Sequence, residues 1–145
     1  MCRVDAPGIL APSVGVGTIF TRANLSEIHA PNAQFHHAQF NEATMESANL
    51  VAADLNGSNF THANLAHANL QETNFQGATL AGADLSGARL DAADVRKANL
   101  RGANLAGALG LTQAQIDSAC LDEQTKLPDD LNRPAPCVGK KTKKK

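Results

Sequence analysis

The chain has 145 residues and a formal net charge of −1, with no Trp, no Tyr and only five Phe. That length suits a single domain, but so few rings exclude an interior built on large aromatic side chains. No stretch approaches the roughly 18 apolar residues of a membrane helix, so a soluble chain with no membrane span is expected.

The first 17 residues read as an N-terminal arm or cap, with Ile9, Leu10 and Val14 available to cover whatever follows. Ile9 to Phe20 is weakly apolar after Arg3, yet Pro12, Gly15 and Gly17 interrupt it. A secretory signal is therefore not favoured, and the cytoplasm is the expected location.

From Phe20 to Leu105 an apolar residue recurs at every fifth position, usually with Ala two residues earlier. The run reads Ala23-Asn24-Leu25, Ala48-Asn49-Leu50, Ala53-Asp54-Leu55, Ser58-Asn59-Phe60, Ala63-Asn64-Leu65, Ala68-Asn69-Leu70 and on to Ala103-Asn104-Leu105. A period of five fits neither a helix nor an ordinary strand. On a helix successive apolar positions would rotate by about 140° and wander around the axis. The chain must instead turn a corner every five residues, and four corners return it above its start after twenty.

Wound on a twenty-residue coil, Phe20, Phe40, Phe60, Leu80 and Leu100 fall in one column and Leu25, Met45, Leu65, Leu85 and Leu105 in the next. Ala30, Leu50, Leu70 and Leu90 form the third, and Phe35, Leu55, Phe75 and Val95 the fourth. The small residue two places earlier has a packing reason. Eight inward side chains per coil fill a narrow lumen at crystal-like density only if half of them are small.

This A-(D/N)-L-x-x run resembles the pentapeptide-repeat proteins over roughly residues 18–110. The resemblance implies an all-β solenoid, a right-handed quadrilateral β-helix of about four and a half coils, with handedness taken from the family alone. Ile28-His29-Ala30-Pro31 departs from the motif, its small and large residues standing in reversed order. A distorted corner or loop is expected there.

After Gly110 the period stops. Leu111 to Cys120 reads as a short capping helix, with Thr112 as N-cap and Gln115 completing a capping box. Leu111, Ile116 and Leu121 are expected to pack over the last coil, and Asp122 to Cys137 to be extended or turn-like around Pro128, Pro134 and Pro136. Residues 111–137 thus form a helix and capping segment. Residues 138–145, with Lys140, Lys141, Lys143, Lys144 and Lys145, read as a disordered, solvated basic tail.

Cys2, Cys120 and Cys137 offer no C-x-x-C spacing for zinc or redox chemistry. Cys120 and Cys137 flank one short segment and suit a clip, but two reduced thiols are the favoured reading. His36, His37, His62 and His67 tempt a metal assignment, yet the coil spreads them over different outer columns. The column Arg22, Glu42, His62 reads as a surface charge ladder, and Asp54, Asp84 and Asp94 occupy ordinary outward positions on two faces. The sequons beginning at Asn24, Asn56 and Asn59 follow from the repeat slots. No catalytic, cofactor-binding or metal-binding residue is assigned, no cofactor is implied, and no enzyme is expected.

The function that remains is a non-enzymatic structural or protein–protein interaction module, with an unidentified protein partner. The resemblance, a bacterial one in its C-terminal G-L-T-Q-A-Q-I-D-S-A-C and T-K-L-P stretches, also implies an alternative. That alternative is a DNA mimic that binds DNA gyrase or a related type II topoisomerase and protects it from quinolones. Charge weighs against it, because Phe20 to Phe75 carries five acids against Arg22, whereas residues 76–110 carry Arg89, Arg96, Lys97 and Arg101 against three Asp. Direct nucleic-acid binding is not expected. Charge polarity along the axis permits head-to-tail self-association, but the expected cap argues against an open filament; a homodimer stays open.

Overall fold

The computed structural model describes residues 17–135 and residue 137. The basic tail and, apart from Gly17, the N-terminal arm lie outside them.

Residues 18 to 110 wind as a coil in which each outward residue bridges, in parallel, the residue twenty positions on. Ile19 pairs with Gln39, Asn24 with Thr44, His29 with Asn49 and Gln34 with Asp54, and the register holds to Arg89 with Leu109. Among the described residues each bridge stands alone, and no strand is longer than one bridging residue. Each wall is short because a turn interrupts it: Ala23 N–H donates to Phe20 O at 2.9 Å, and the same contact recurs every five residues. The third residue of each turn has φ between 59° and 71° from Gly17 to Gly107, which makes these type II turns.

Repeat 63–67 shows where the backbone groups go. Ala63 N–H donates to Phe60 O, Asn64 N–H to Ala43 O below, Leu65 N–H to Asp84 O above, and His67 N–H to Ser86 O above, all within 2.9 Å. The fifth amide, Ala66 N–H, donates to the side-chain Oδ1 of Asn64 at 3.0 Å. That Asx turn explains the Asn or Asp of the motif. The same contact forms at Asn24, Asn49, Asp54, Asn59, Asn69, Asn74, Asp84, Asp94, Asn99 and Asn104.

Both the small and the central residue of each repeat are buried in one continuous core. Phe20, Phe40 and Phe60 stack face to face at 5.1 and 4.7 Å, with Phe35 edge-on against Phe40 at 5.3 Å and Phe75 against Phe60 at 5.6 Å. Where Ser or Thr replaces Ala its hydroxyl meets a carbonyl: Ser58 donates to Phe35 O at 2.7 Å and Thr73 to Leu50 O at 2.9 Å. Among the described residues no buried polar side-chain atom lacks a partner.

The expected distortion at Ile28 to Pro31 does not occur. Ile28 and Ala30 are both buried, His29 keeps its bridge to Asn49, and Ala33 N–H closes the turn on Ala30 O at 3.3 Å. Reversing small and large leaves the filled volume unchanged, and Pro31 occupies the turn position that favours proline.

The period does not end at Gly110 but lapses and resumes. Helix α1, Gln113–Ser118, carries the Thr112–Gln115 capping box. It takes the place of the fourth wall: Gln115 Nε2 donates to Leu90 O at 3.0 Å and Ala93 O at 2.9 Å, two carbonyls with no coil above them. Ala119-Cys120-Leu121 and Thr125-Lys126-Leu127 then repeat the small–outward–large order. Cys120 bridges Asn99 and Lys126 bridges Asn104, while Thr125 Oγ1 donates to Leu100 O at 2.8 Å.

Cys120 and Cys137 form a disulfide with Cα atoms 5.0 Å apart, contrary to the expected reduced thiols. The turns at Asp122–Thr125 and Pro128–Leu131 fold the segment back, and Arg101 Nη2 donates to Cys137 O at 3.0 Å. Asp122 anchors the same region, accepting from Gly102 N–H at 3.0 Å and Gln124 N–H at 2.9 Å. Burial pushes the Asp122 carboxyl up, but these amides and Thr125 outweigh it and hold it below its ordinary value.

Leu65→Ala should cost about 2–5 kcal/mol in chemical denaturation and Ala68→Leu about 1–3 kcal/mol by overpacking; unchanged stability in both would contradict a filled lumen. Reducing Cys120–Cys137, or Cys137→Ser, should remove on the order of 3 kcal/mol, read as a lower midpoint in the presence of reductant. Because the Asp122 carboxyl is depressed, its contribution is complete above its unfolded pKa and lost as pH falls through the folded value. Asp122→Asn should therefore flatten the acid limb of stability against pH, and an unchanged limb would assign acid sensitivity elsewhere.

Candidate functional site

The lumen is filled, so chemistry is confined to the outer columns and the capped end. His36, His37, His62 and His67, four of the five histidines, do not converge on one site. Instead three of them share one arrangement: the imidazoles of His37, His62 and His67 lie over Gly57, Gly82 and Gly87 of the next coil, where an added Cβ would come within 2.6 Å of a ring atom. Each ring fills the space that a glycine leaves open. His29 Nδ1 is 3.1 Å from Asn49 Nδ2. Among the described residues no three His, Cys, Asp or Glu side chains come together as a metal site.

The charge ladder is real at its base, where Arg22 Nε is 2.7 Å from Glu42 Oε1. That hydrogen bond, more than charge alone, holds the Glu42 carboxyl below its ordinary value. Asp94 is likewise depressed, chiefly by the Arg96 side chain, which donates at 2.9 and 2.7 Å. Asp54 sits below Asn74 in the same column, with Asn74 Nδ2 3.3 Å away, so its neighbour in the column is an amide rather than a second carboxyl that could act with it as acid and base.

A depression of about 380 Å³ lies between the last coil and α1 and is bordered by Ala92, Asp94, Arg96, Gln115 and Ser118. Its polar groups are already engaged: Arg96 with Asp94, Gln115 with backbone, and Ser118 Oγ with Gln115 O at 2.7 Å. Nothing there pairs a nucleophile with a base.

What the coil does organise is charge around its girth. The wall bearing Ile19, Gln39, Asn59, Thr79 and Asn99, with its flanking turns, carries Arg22, Arg96, Lys97 and Arg101 against Glu42. The opposite wall, bearing His29, Asn49, Asn69, Arg89 and Leu109, carries Glu27, Glu46, Glu72 and Asp91 against Arg89. This transverse polarity escaped the sequence reading, which sorted charge along the chain. Sorting the same residues by their position within twenty would have found it.

The pentapeptide repeats family pattern, in eight copies, matches residues 18–57, 58–96 and 83–123. Among solved structures, a pentapeptide repeat protein from the Arabidopsis thaliana thylakoid lumen superimposes with a TM-score of 0.69 at 24% identity, covering 72% of each chain. That likeness is one of fold. Rfr23, a pentapeptide repeat protein from the cyanobacterium Cyanothece 51142, is 30% identical over 72% of this chain and 63% of its own, with a TM-score of 0.35. QnrB1, a plasmid-mediated fluoroquinolone resistance protein, is 19% identical over 84% of this chain and 88% of its own, with a TM-score of 0.33. No curated protein matches the sequence. The matched repeats span well over half of the residues, and the chain belongs to the pentapeptide repeat family.

Proposed function

We propose that the chain is a non-enzymatic module for protein–protein contact, a right-handed quadrilateral β-helix whose outward side chains meet a partner. The observation that carries this reading is the bridge register. Each outward side chain is held by a bridging backbone directly above and below its counterparts, so a wall presents side chains in fixed rows. A surface ordered in that way needs no rearrangement on binding, which lowers the entropic cost of association.

The gyrase-mimic alternative draws support from the acidic wall alone, and the basic wall opposite counts against it. The disulfide adds a second argument, because such bonds persist in oxidising compartments rather than in the cytoplasm. Export from the cytoplasm would also separate the chain from a topoisomerase.

Immobilised full-length protein with its disulfide intact, exposed separately to cytoplasmic and extracytoplasmic fractions, tests the reading. The expected result is a stoichiometric protein partner from the extracytoplasmic fraction, with cross-links to outward residues such as Asn59 or Asn69. Capture of gyrase subunits with an effect on supercoiling would establish the alternative instead. Retention of nothing from either fraction would overturn both.

A further inference from the structure

Two exposed large apolar side chains stand out on this surface: Ile19, 52% exposed, and Leu109, 53% exposed. Ile19 is the first rung of the basic wall and Leu109 the last rung of the acidic wall. They lie on opposite sides and at opposite ends of the coil.

We propose that the basic wall of one copy docks antiparallel on the acidic wall of a second copy. Antiparallel placement is the one that brings Ile19 of one copy beside Leu109 of the other. With that pair aligned, the common coil spacing of about 4.8 Å matches every remaining rung. Asn59 faces Asn69, Thr79 faces Asn49 and Asn99 faces His29; the Oδ1 atoms of these asparagines already accept within their own turns, so their Nδ2 hydrogens are what they offer across the contact.

The charges follow the same register. Lys97 and Arg101 come level with Glu27 of the other copy to within a fraction of a coil. Neither cation makes an ion pair among the described residues, and neither do Glu27, Glu46 and Glu72. The two charges of opposite sign to their walls also match, because Glu42 comes level with Arg89. Parallel docking would instead set Glu42 beside Glu46 of the other copy and Lys97 beside both Arg89 and Asp91, and would leave Ile19 and Leu109 at opposite ends of the contact.

One wall is small against the roughly 800 Å² per partner of a stable complex, so the contact is weak and depends on charge. It is also heterologous: each copy keeps one free wall, and the association extends rather than closing as a dimer. The inference rests on the interaction-module reading and names a second copy as one partner.

Sedimentation of the oxidised full-length protein tests it. In about 0.01 M salt, where charges act over roughly 30 Å, the average mass should rise with protein concentration; in about 1 M salt, where screening shortens this to roughly 3 Å, it should fall to the monomer. The variants Lys97→Glu and Glu27→Lys/Glu46→Lys, checked for native melting and an intact disulfide, should each stay monomeric at low salt, and their mixture should associate. Three results would overturn the proposal: a wild-type monomer at low salt, association that persists in both variants, or a mixture that stays monomeric. A wild-type monomer that binds duplex DNA through Lys97 and Arg101 would reassign the basic wall to a polyanion. Failure of self-association alongside capture of an extracytoplasmic protein would sink this inference while leaving the module reading intact.

Discussion

A chain that turns every five residues has to find a hydrogen-bond partner for every amide it bends. In this coil the bridging contacts to neighbouring coils and the turn contact within the repeat satisfy four amides of repeat 63–67. The fifth is met by the outward Asn or Asp side chain. An unpaired amide in a wall would cost about 1–3 kcal/mol where water is excluded, and the repetition multiplies any such defect. The motif's polar residue is therefore first a structural acceptor. Its outward display is a consequence of having to sit one residue before the central apolar side chain.

The same turn imposes a left-handed residue in every repeat, and twelve of those positions are not glycine. Each costs roughly 1–2 kcal/mol for an L-residue. The coil holds them there because the amide of that residue donates to the coil above, as His67 does to Ser86. The position also decides where histidine can go. His37, His62 and His67 occupy left-handed turns and lean over Gly57, Gly82 and Gly87 one coil on, so ring and glycine form a steric pair twenty residues apart. A histidine cluster in the sequence is thus three separate packing solutions.

Most of this architecture was legible from spacing alone. The period, the buried columns and the Thr112–Gln115 cap all depend on local rules that one sequence displays. Ile28 to Pro31 breaks the motif as an order of sizes but not the coil, because the lumen responds to the volume that the two inward residues share. The rungs at Cys120 and Lys126 were hidden by an insertion: α1 adds residues between Gly110 and Ala119, and a strict count of five loses the register. The A-C-L and T-K-L spellings were visible, but only contact with Asn99 and Asn104 makes them rungs. The disulfide depended on a fold-back set by tertiary contacts at Arg101 and Asp122.

The distribution of charge is of a different kind, because nothing in the fold requires it. Any polar residue tolerated at a turn would serve the backbone equally, yet within residues 18–110 the bases, Arg89 apart, collect on one wall and its flanking turns while the acids on the turns, Glu42 apart, collect on the opposite side. Exposed ion pairs contribute little to stability, so folding does not account for the segregation. Fields from clustered charge act over several ångströms and steer association. In a coil whose interior is spent on packing and whose polar side chains are largely committed to its own turns, the property left free to specify a partner is which wall carries which sign.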